Sequence, residues 1–296
     1  MRRWSFTKGH GTENDFVVLL DRESMLEVGP AEVRFICDRR AGIGADGLLR
    51  AVLAKHVDHW DGDGDLWFMD YRNADGSIAE MCGNGIRVFV RFLLEADLAS
   101  GPIVEIATRR GLRTATALPD GRIRVSLGRV AVGNHWVVVT TTDGAEFKAL
   151  PADVGNPHAV SFVDNLDGLL LHPAPRWDPA EEFPQGVNLE FVRHLGDRHI
   201  AMRVYERGVG ETRSCGTGTV AAAAAARAHD QDQTSLPVTY RVDVPGGTVE
   251  VELTRDEAYL TGPAVLVAHG ELAVPDRAAL ESQIRTATAS GTSRPA

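Results

Sequence analysis

The sequence is poor in cysteine and lysine and contains no long apolar run. Its three cysteines, Cys37, Cys82 and Cys215, lie far apart, so they predict neither a disulfide framework nor a zinc site. No apolar run approaches the roughly 18 residues that a membrane span needs. The first eleven residues also lack the apolar stretch of a signal peptide. We therefore expect a cytoplasmic protein with no membrane partner.

Basic residues are also in the minority. The 296 residues contain 31 Lys and Arg against 41 Asp and Glu, which gives a formal net charge of −10. Without a basic run, such a surface repels a polyanion, so nucleic acid is excluded as a partner. A composition of 44% hydrophobic and 24% charged residues is typical of a globular protein, and the length suits one large domain or two ordinary ones.

The apolar pattern mixes helical and extended segments along the whole chain. Residues 31–40 have helical spacing. Strand-like segments occur at 66–71, 123–127, 136–142 and 249–253, the last after a Pro-Gly-Gly turn. This pattern predicts an α+β fold with many strands.

Two segments resemble one another. One reads YRNADGSIAEMCGNGIRVFVRFLLE from Tyr71, and the other reads YERGVGETRSCGTGTVAAAAAARA from Tyr205. Each contains an extended run, a polar loop, a Cys-Gly-X-Gly element and a long apolar helix. A polar residue stands nine positions before each cysteine, Asn73 in the first copy and Glu206 in the second. We infer a duplicated unit and therefore two pseudo-symmetric domains.

Each repeated cysteine is predicted to stand at the amino end of a buried helix. The start of a helix leaves backbone N–H groups without partners and has a partial positive charge, which favours anions and thiolates. The flanking glycines allow a ligand to approach the main chain closely. Two such loops around one carbon could invert its configuration, since one thiolate would remove the α-proton while the opposite thiol supplies another.

Other sites are less well supported by the sequence. Cys37 follows Phe-Ile and is interpreted as a core residue. Gly42, Gly44 and Gly47 spell the dinucleotide motif G-x-G-x-x-G, but the preceding segment is helical where the motif requires a strand. The acidic stretch 58–65 lacks the glycine and the final glutamate of a calcium loop, so a solvated loop is expected. None of the three lysines has a setting that suggests a Schiff base with pyridoxal phosphate.

Several motifs together resemble the diaminopimelate epimerase family. They are GTENDF, NADGS, MCGNG, VGNPHAV, GVNLEFV and ERGVGETRSCGTGT, and they occur in the family's order from about Thr7 to Val267. The resemblance implies a homodimeric, cofactor-independent isomerase that interconverts LL- and meso-diaminopimelate for lysine and peptidoglycan synthesis. It also implies two domains, each a curved sheet or barrel wrapped around a central apolar helix, with the active site in the cleft between them.

The resemblance also implies roles for individual residues. Cys82 and Cys215 match the family's acid–base pair, and His158 and Glu206 match residues that tune these thiols. The positions that match substrate-binding residues are Asn14, Asn73, Gly83, Asn84, Asn156, Asn188, Glu206, Arg207, Gly216 and Thr217. No metal ligand is implied. The sequence departs from the family at Gly47, where many members have Gln, so one contact to the substrate is expected to be missing or replaced.

The predicted domain boundaries follow from the two copies. Residues 1–130, with a returning segment at 265–285, form the first domain, residues 131–264 form the second, and residues 286–296 form a disordered tail. Two alternatives remain open: a proline-racemase-like enzyme with the same two-thiol chemistry, and a non-catalytic binding or thiol-redox protein. No C-x-x-C motif supports the redox alternative.

Overall fold

The computed structural model describes residues 1–282. Within them, three α-helices cover Pro30–Cys37 (α1), Gly83–Glu95 (α2) and Gly216–His229 (α3). The strands of the first part are Arg2–Gly11 (β1), Asn14–Leu20 (β2), Gly47–Leu53 (β3), Trp67–Asn73 (β4), Ile103–Thr108 (β5), Gly111–Ala117 (β6), Ile123–Gly128 (β7), Ala131–Val132 (β8) and Val137–Thr140 (β9). Those that follow are Glu146–Asp153 (β10), Pro157–Phe162 (β11), Arg176–Asp178 (β12), Asn188–Gly196 (β13), His199–Glu206 (β14), Gly210–Thr212 (β15), Val238–Val244 (β16), Gly247–Leu253 (β17), Ala258–Gly262 (β18) and Val265–Val274 (β19).

The chain forms two compact units. The described part of unit 1 comprises residues 1–11, 15–116 and 264–282, and unit 2 comprises residues 12–14 and 117–263. The predicted boundaries at residues 130 and 264 stay predictions. Residues 283–285 of the predicted returning segment and the predicted tail, 286–296, lie outside the described residues.

Unit 1 contains a mixed sheet. Its strands pair in the spatial order β19, β1, β2, β3, β4, β5, β6. The β2–β3 and β4–β5 pairs are parallel, and the β3–β4 and β5–β6 pairs are antiparallel. Helix α2 follows β4 and packs against β1, β3, β4 and β19. A parallel pair needs a crossover, and α2 supplies the one between β4 and β5.

Unit 2 repeats this connectivity. Its strands pair in the spatial order β10, β11, β13, β14, β16, β17. The β11–β13 and β14–β16 pairs are parallel, and the β10–β11, β13–β14 and β16–β17 pairs are antiparallel. Helix α3 provides the crossover between β14 and β16, as α2 does between β4 and β5. The duplication inferred from the two cysteine loops therefore extends to the pairing of the strands, and the fold is mixed α+β as predicted.

The central helices differ in composition. Helix α3 contains an unbroken buried run, residues 220–226, made of one valine and six alanines. It packs against β8, β10, β11, β13, β14, β16, β17 and β18, so strands surround it on several sides. Alanine has the highest helix propensity and a minimal side chain, which lets these strands approach the helix closely. Helix α2 instead buries larger side chains, including Ile86, Phe89 and Leu93.

The sequence-based segments agree with the structure within a few residues. The helix predicted at 31–40 is α1, and the strands predicted at 66–71, 123–127, 136–142 and 249–253 are β4, β7, β9 and β17. In the described part of the chain, no helix has the length and apolarity that crossing a membrane would require.

The tight packing of α3 predicts that it does not tolerate larger side chains. Ala223 is 0% exposed, so Ala223→Leu adds three carbon atoms to a filled core. We expect this change to lower the free energy of unfolding by about 1–3 kcal/mol, as measured by urea denaturation.

The matched control is Ala228→Leu, which changes an exposed position of the same helix. Its effect should stay within about 0.5 kcal/mol. Equal stability of the two variants would contradict close packing around α3.

Candidate functional site

Cys82 is the N-cap of α2, the residue just before the first helical turn. It has an extended backbone, and its Sγ accepts a hydrogen bond from the Gly85 N–H at 3.5 Å. Gly83 and Asn84 are the first two residues of the helix, and both are buried. Cys82 itself is only partly buried. The sulfur thus lies where a helix start favours negative charge.

Cys215 has the same position at the start of α3. Its Sγ accepts a hydrogen bond from the Gly218 N–H at 3.4 Å, and Gly216 and Thr217 begin the helix. The Thr217 hydroxyl lies 3.6 Å from the same sulfur. The prediction that each cysteine stands at the amino end of a buried helix is therefore confirmed.

The surroundings of Cys215 favour its neutral form. Burial raises the pKa of the Cys215 thiol well above its ordinary value, and the carboxylates of Glu206 and Glu190 raise it further. The hydrogen bonds from Gly218 and Thr217 act in the opposite direction but do not offset these effects. These surroundings therefore favour the protonated thiol of Cys215.

A chain of hydrogen bonds connects Cys215 to a buried carboxylate. The Asn156 amide donates to Thr217 Oγ1 at 3.3 Å, so its Oδ1 is left to accept from His158 Nε2 at 3.1 Å. The other ring nitrogen of His158, Nδ1, lies 2.7 Å from Glu190 Oε1. His158 and Glu190 are both 0% exposed. The structure thus joins Asn156, His158 and Thr217, which were predicted separately.

Glu190 was missed by the sequence analysis. It lies on β13, in the motif GVNLEFV. Its side chain is close to Gly218, because a Cβ placed on Gly218 would be only 2.5 Å from Glu190 Oε1. A charged residue within an apolar strand is the signal that could have identified it, because buried carboxylates are rare unless they are paired.

Asn188 and Arg207 interact at the start of β13. The Asn188 amide donates to the Pro157 carbonyl at 3.1 Å, and its Oδ1 accepts from the Arg207 backbone N–H at 2.9 Å. The Arg207 side chain is exposed, and its Nη1 donates to the Gln185 carbonyl at 3.3 Å. Glu206, the residue before it, accepts a hydrogen bond from Thr212 at 2.5 Å. Asn188 therefore fixes the backbone that presents Arg207.

The remaining predicted residues lie at strand and helix ends. Asn14 begins β2 and is 6% exposed. Asn73 ends β4, and its amide donates to the Ser77 hydroxyl at 3.0 Å. Asn84, the second residue of α2, is 1% exposed. The roles of these residues stay predictions.

The structure explains the departure at Gly47. A Cβ at this position would lie 2.7 Å from the Tyr71 ring and 2.8 Å from the Arg72 carbonyl oxygen. The antiparallel β3–β4 pair sets this spacing, with Gly47 opposite Asn73. A glutamine therefore does not fit here without movement of the backbone, and the Tyr71 ring occupies the nearby space.

The possible metal ligands and the dinucleotide-like motif lie outside the two cysteine loops. In the described part of the chain, one group of possible metal ligands comes together, His194, His229 and Asp230, with ligand atoms within 4.8 Å of one another. All three side chains are exposed, and none belongs to the cysteine loops. Gly42, Gly44 and Gly47 lie after α1 and lead into β3. In a dinucleotide motif the glycines instead follow a strand and lead into a helix. Cys37 is the last residue of α1 and lies in the core, where burial raises its pKa to about 12.

Solved structures with the same fold have low sequence identity. A hydroxyproline epimerase from Agrobacterium vitis aligns with a TM-score of 0.69 at 17% identity, covering 94% of this chain and 95% of its own. A phenazine biosynthesis protein of the PhzF family from Bacillus anthracis aligns with a TM-score of 0.65 at 16% identity, covering 93% and 100%. The fold is the one that these epimerase and PhzF proteins share.

Sequence comparison is more specific. The profile of the family described as diaminopimelate epimerase matches residues 6–142 and 151–267. A diaminopimelate epimerase of Streptomyces coelicolor is 48% identical over 279 residues, covering 91% of this chain and 95% of the relative. One of Thermobifida fusca is 47% identical over 276 residues, covering 90% and 97%. The chain belongs to the diaminopimelate epimerase family.

The two cysteine loops predict different responses to the same substitution. A Cβ at Gly218 would lie 2.5 Å from Glu190 Oε1 and 3.3 Å from Cys215 Sγ, whereas a Cβ at Gly85 would meet nothing closer than 3.4 Å. We expect Gly218→Ala to lower the free energy of unfolding by about 1–3 kcal/mol. Gly85→Ala should be neutral or stabilising by up to about 1 kcal/mol. Urea denaturation measures both, and changes of equal sign and size would contradict the difference between the loops.

The environment of Cys215 predicts a high pH for its ionisation. Because burial and two carboxylates raise its pKa, alkylation of Cys215 by iodoacetamide should be slow at pH 7–8 and should accelerate only above pH 9. Glu190→Gln removes one negative charge, so the pH of half-maximal rate should fall, by about one unit.

Mass spectrometry of the Cys215 peptide measures this rate. Glu211→Gln is the control, because Glu211 pairs with Arg203 and is not among the groups that raise the pKa of Cys215. A wild-type Cys215 that ionises below pH 8 would contradict the interpretation.

Proposed function

We propose that this protein interconverts LL- and meso-2,6-diaminopimelate by proton transfer at one α-carbon, in the synthesis of lysine and peptidoglycan precursors. Cys82 and Cys215 are the two acid–base groups, and the reaction needs no cofactor. One thiolate removes the α-hydrogen as a proton. The other thiol delivers a proton to the opposite face of the same carbon, which inverts its configuration.

The observation that carries this proposal is the matched position of the two sulfurs. Each is the N-cap of a buried helix, and each accepts an N–H hydrogen bond from the third residue of its helix. A core cysteine does not require such a setting. Finding it twice, in two units with the same strand pairing, supports a shared chemical role.

The same helix starts are proposed to bind the end of the substrate at which the proton is transferred. The first N–H groups of a helix have no partners within the helix, so Gly83 and Asn84 in one loop and Gly216 and Thr217 in the other can donate to the substrate carboxylate. Loss of the α-proton pushes electron density onto that carboxylate. Donors already in place therefore stabilise the transition state more than the ground state.

The second end of diaminopimelate needs its own polar partners. Asn14, Asn73, Asn156, Asn188, Glu206 and Arg207 are proposed for this role. The exposed guanidinium of Arg207 can bind a carboxylate through two parallel hydrogen bonds, and amides both donate and accept. A ligand such as proline has no second amino-acid end, so this set favours diaminopimelate as the substrate.

The thiols also need control of their charge. His158 and Glu206 are proposed to tune Cys215, Glu206 through its negative charge and His158 through the hydrogen-bond chain that ends at Thr217. We further propose a cytoplasmic homodimer, which rests on the family resemblance. Sedimentation equilibrium measures the mass in solution, and a monomer at micromolar concentration would contradict the dimer.

Solvent isotope exchange tests the proposed reaction. Diaminopimelate incubated with the protein in D2O should lose its α-hydrogen signal in proton NMR, while the side-chain methylene signals stay unchanged. Cys82→Ala and Cys215→Ala should each lower the rate of epimerisation by about 10²-fold or more, because each removes one of the two proton-transfer groups.

The matched control is Cys37→Ala, which removes the third thiol from the core of unit 1. It should retain epimerisation within a few-fold. A protein that binds diaminopimelate without exchanging its α-hydrogen would contradict the proposed activity. A cysteine whose alanine variant keeps the full rate would not be one of the two groups.

A further inference from the structure

The C-terminal end of α3 carries a group of side chains that the proposed reaction does not use. His229 is the last residue of the helix, Asp230 is its C-cap, and His194 lies on β13. All three side chains are exposed and belong to unit 2. Cys215 caps the opposite end of the helix, about 20 Å away for 14 residues at about 1.5 Å each. The group is therefore separate from the cysteine loop.

The geometry of this group matches the ligand spacing of a small divalent ion. His229 Nδ1 lies 3.0 Å from Asp230 Oδ1, and His194 Nδ1 lies 3.5 Å from Asp230 Oδ2. One ligand atom from each residue lies within 4.8 Å of the other two. In a tetrahedral zinc site, bonds of about 2.1 Å place neighbouring ligand atoms about 3.4 Å apart. Both contacts to Asp230 are already close to this spacing, and small rotations of the side chains bring the two nitrogens to it.

Neighbouring aromatic side chains hold the two imidazole rings. The Phe162 ring on β11 stacks on His229, with centroids 4.2 Å and planes 25° apart, and on His194, at 5.4 Å and 24°. The Trp136 ring meets His229 edge-on at 6.4 Å. Stacking engages the faces of the imidazoles and not their nitrogen atoms. Rings that are already packed lose little conformational entropy when an ion binds, so the stack favours a site here.

The third ligand separates this group from an ordinary surface pair. His199 on β14, for example, pairs with the single carboxylate of Asp243 at 2.7 Å. Within residues 1–282, the group on α3 and β13 is the one place where three possible metal ligands meet. The C-terminal end of a helix also has a partial negative charge, which favours a cation. Spacing, ring packing and helix charge therefore agree.

We infer that His194, His229 and Asp230 form a binding site for a divalent transition-metal ion such as Zn²⁺. Imidazole nitrogens suit Zn²⁺, Cu²⁺ and Ni²⁺, and the carboxylate supplies a negative charge. Each Nδ1 gives its lone pair to the ion, so a proton on either Nδ1 is released to the solvent. Three protein ligands leave a fourth position for water. The ion joins β13 to the end of α3 and takes no part in the proposed proton transfer.

Zinc titration tests the site with the metal ion alone. The full-length protein competes for Zn²⁺ with a chromophoric chelator near neutral pH, and the wild type is compared with His194→Gln, His229→Gln and Asp230→Asn. We expect the wild type to bind Zn²⁺ at micromolar concentration. Each variant should bind about tenfold more weakly or worse, because loss of even an outer partner of a ligand costs about 10–100-fold.

The matched control is His199→Gln, which removes a histidine that has one carboxylate partner and no third ligand. It should leave the affinity for Zn²⁺ unchanged. An equal loss of affinity in this variant would show that the titration reports histidine content and not the site, and would overturn the inference.

A second measurement identifies the ligands in the wild type, since cysteine thiolates also bind Zn²⁺. Diethyl pyrocarbonate modifies neutral imidazoles, and mass spectrometry follows each histidine peptide. A coordinated imidazole has no lone pair left for the reagent. At a Zn²⁺ concentration about ten times the Kd, modification of His194 and His229 should slow about tenfold, because about one site in eleven is then empty. His199 should react at its former rate, and EDTA should restore the other two.

The outcomes are distinct. Absence of binding at millimolar Zn²⁺ overturns the inference. So does binding with no protection of His194 and His229, because the ion is then held elsewhere, and so does a folded variant of any of the three residues that keeps the wild-type affinity. If the variants do not fold, the protection measured in the wild type decides. None of these measurements involves diaminopimelate, so failure of the metal site leaves the proposed function untouched.

Discussion

The hydrogen bond from a helix N–H to a cysteine sulfur is the interaction on which the candidate site depends. In each unit it joins the sulfur of the N-cap to the third residue of the helix, at 3.5 Å for Cys82 and 3.4 Å for Cys215. It fixes the sulfur at the end of the helix where negative charge is favoured. The surrounding strands bury the helix and so hold this end in place. The sheet of each unit thus positions one cysteine sulfur.

The duplicated fold supplies two equivalent positions, and the side chains behind them make the two different. A reaction that removes a proton on one face and adds one on the other needs a base and an acid at the same time, which two thiols provide when they hold one proton between them. Burial, Glu190 and Glu206 hold Cys215 in its neutral form. Arg87 is fully buried in α2, the helix that Cys82 caps. Duplication therefore explains the shared geometry, while the residues around each sulfur differ between the two units.

The sequence alone predicts the parts of the site that depend on local pattern. The Cys-Gly-X-Gly repeats and the apolar runs after them predict both helix starts, and alternation predicts strands such as β7 and β17. Glu190 and Arg87 were missed for a physical reason. A glutamate within a strand, such as Glu190, can lie on either face of the sheet. Arg87 stands four residues before Arg91, a spacing that suggests the polar face of an amphipathic helix. Only the packing of distant strands shows that both are buried. The steric limit at Gly47 likewise arises from its pairing with β4.

Glu190 is buried with only part of its hydrogen-bonding capacity used. One carboxylate oxygen contacts His158, while the other makes no hydrogen bond to any residue of the described chain, 1–282. A buried polar pair of this kind is often no more stabilising than apolar residues of similar volume. Val160 and Phe191, its neighbours on the same strand pair, show that apolar side chains are readily buried there. The carboxylate adds to the effect of burial, and both raise the pKa of Cys215.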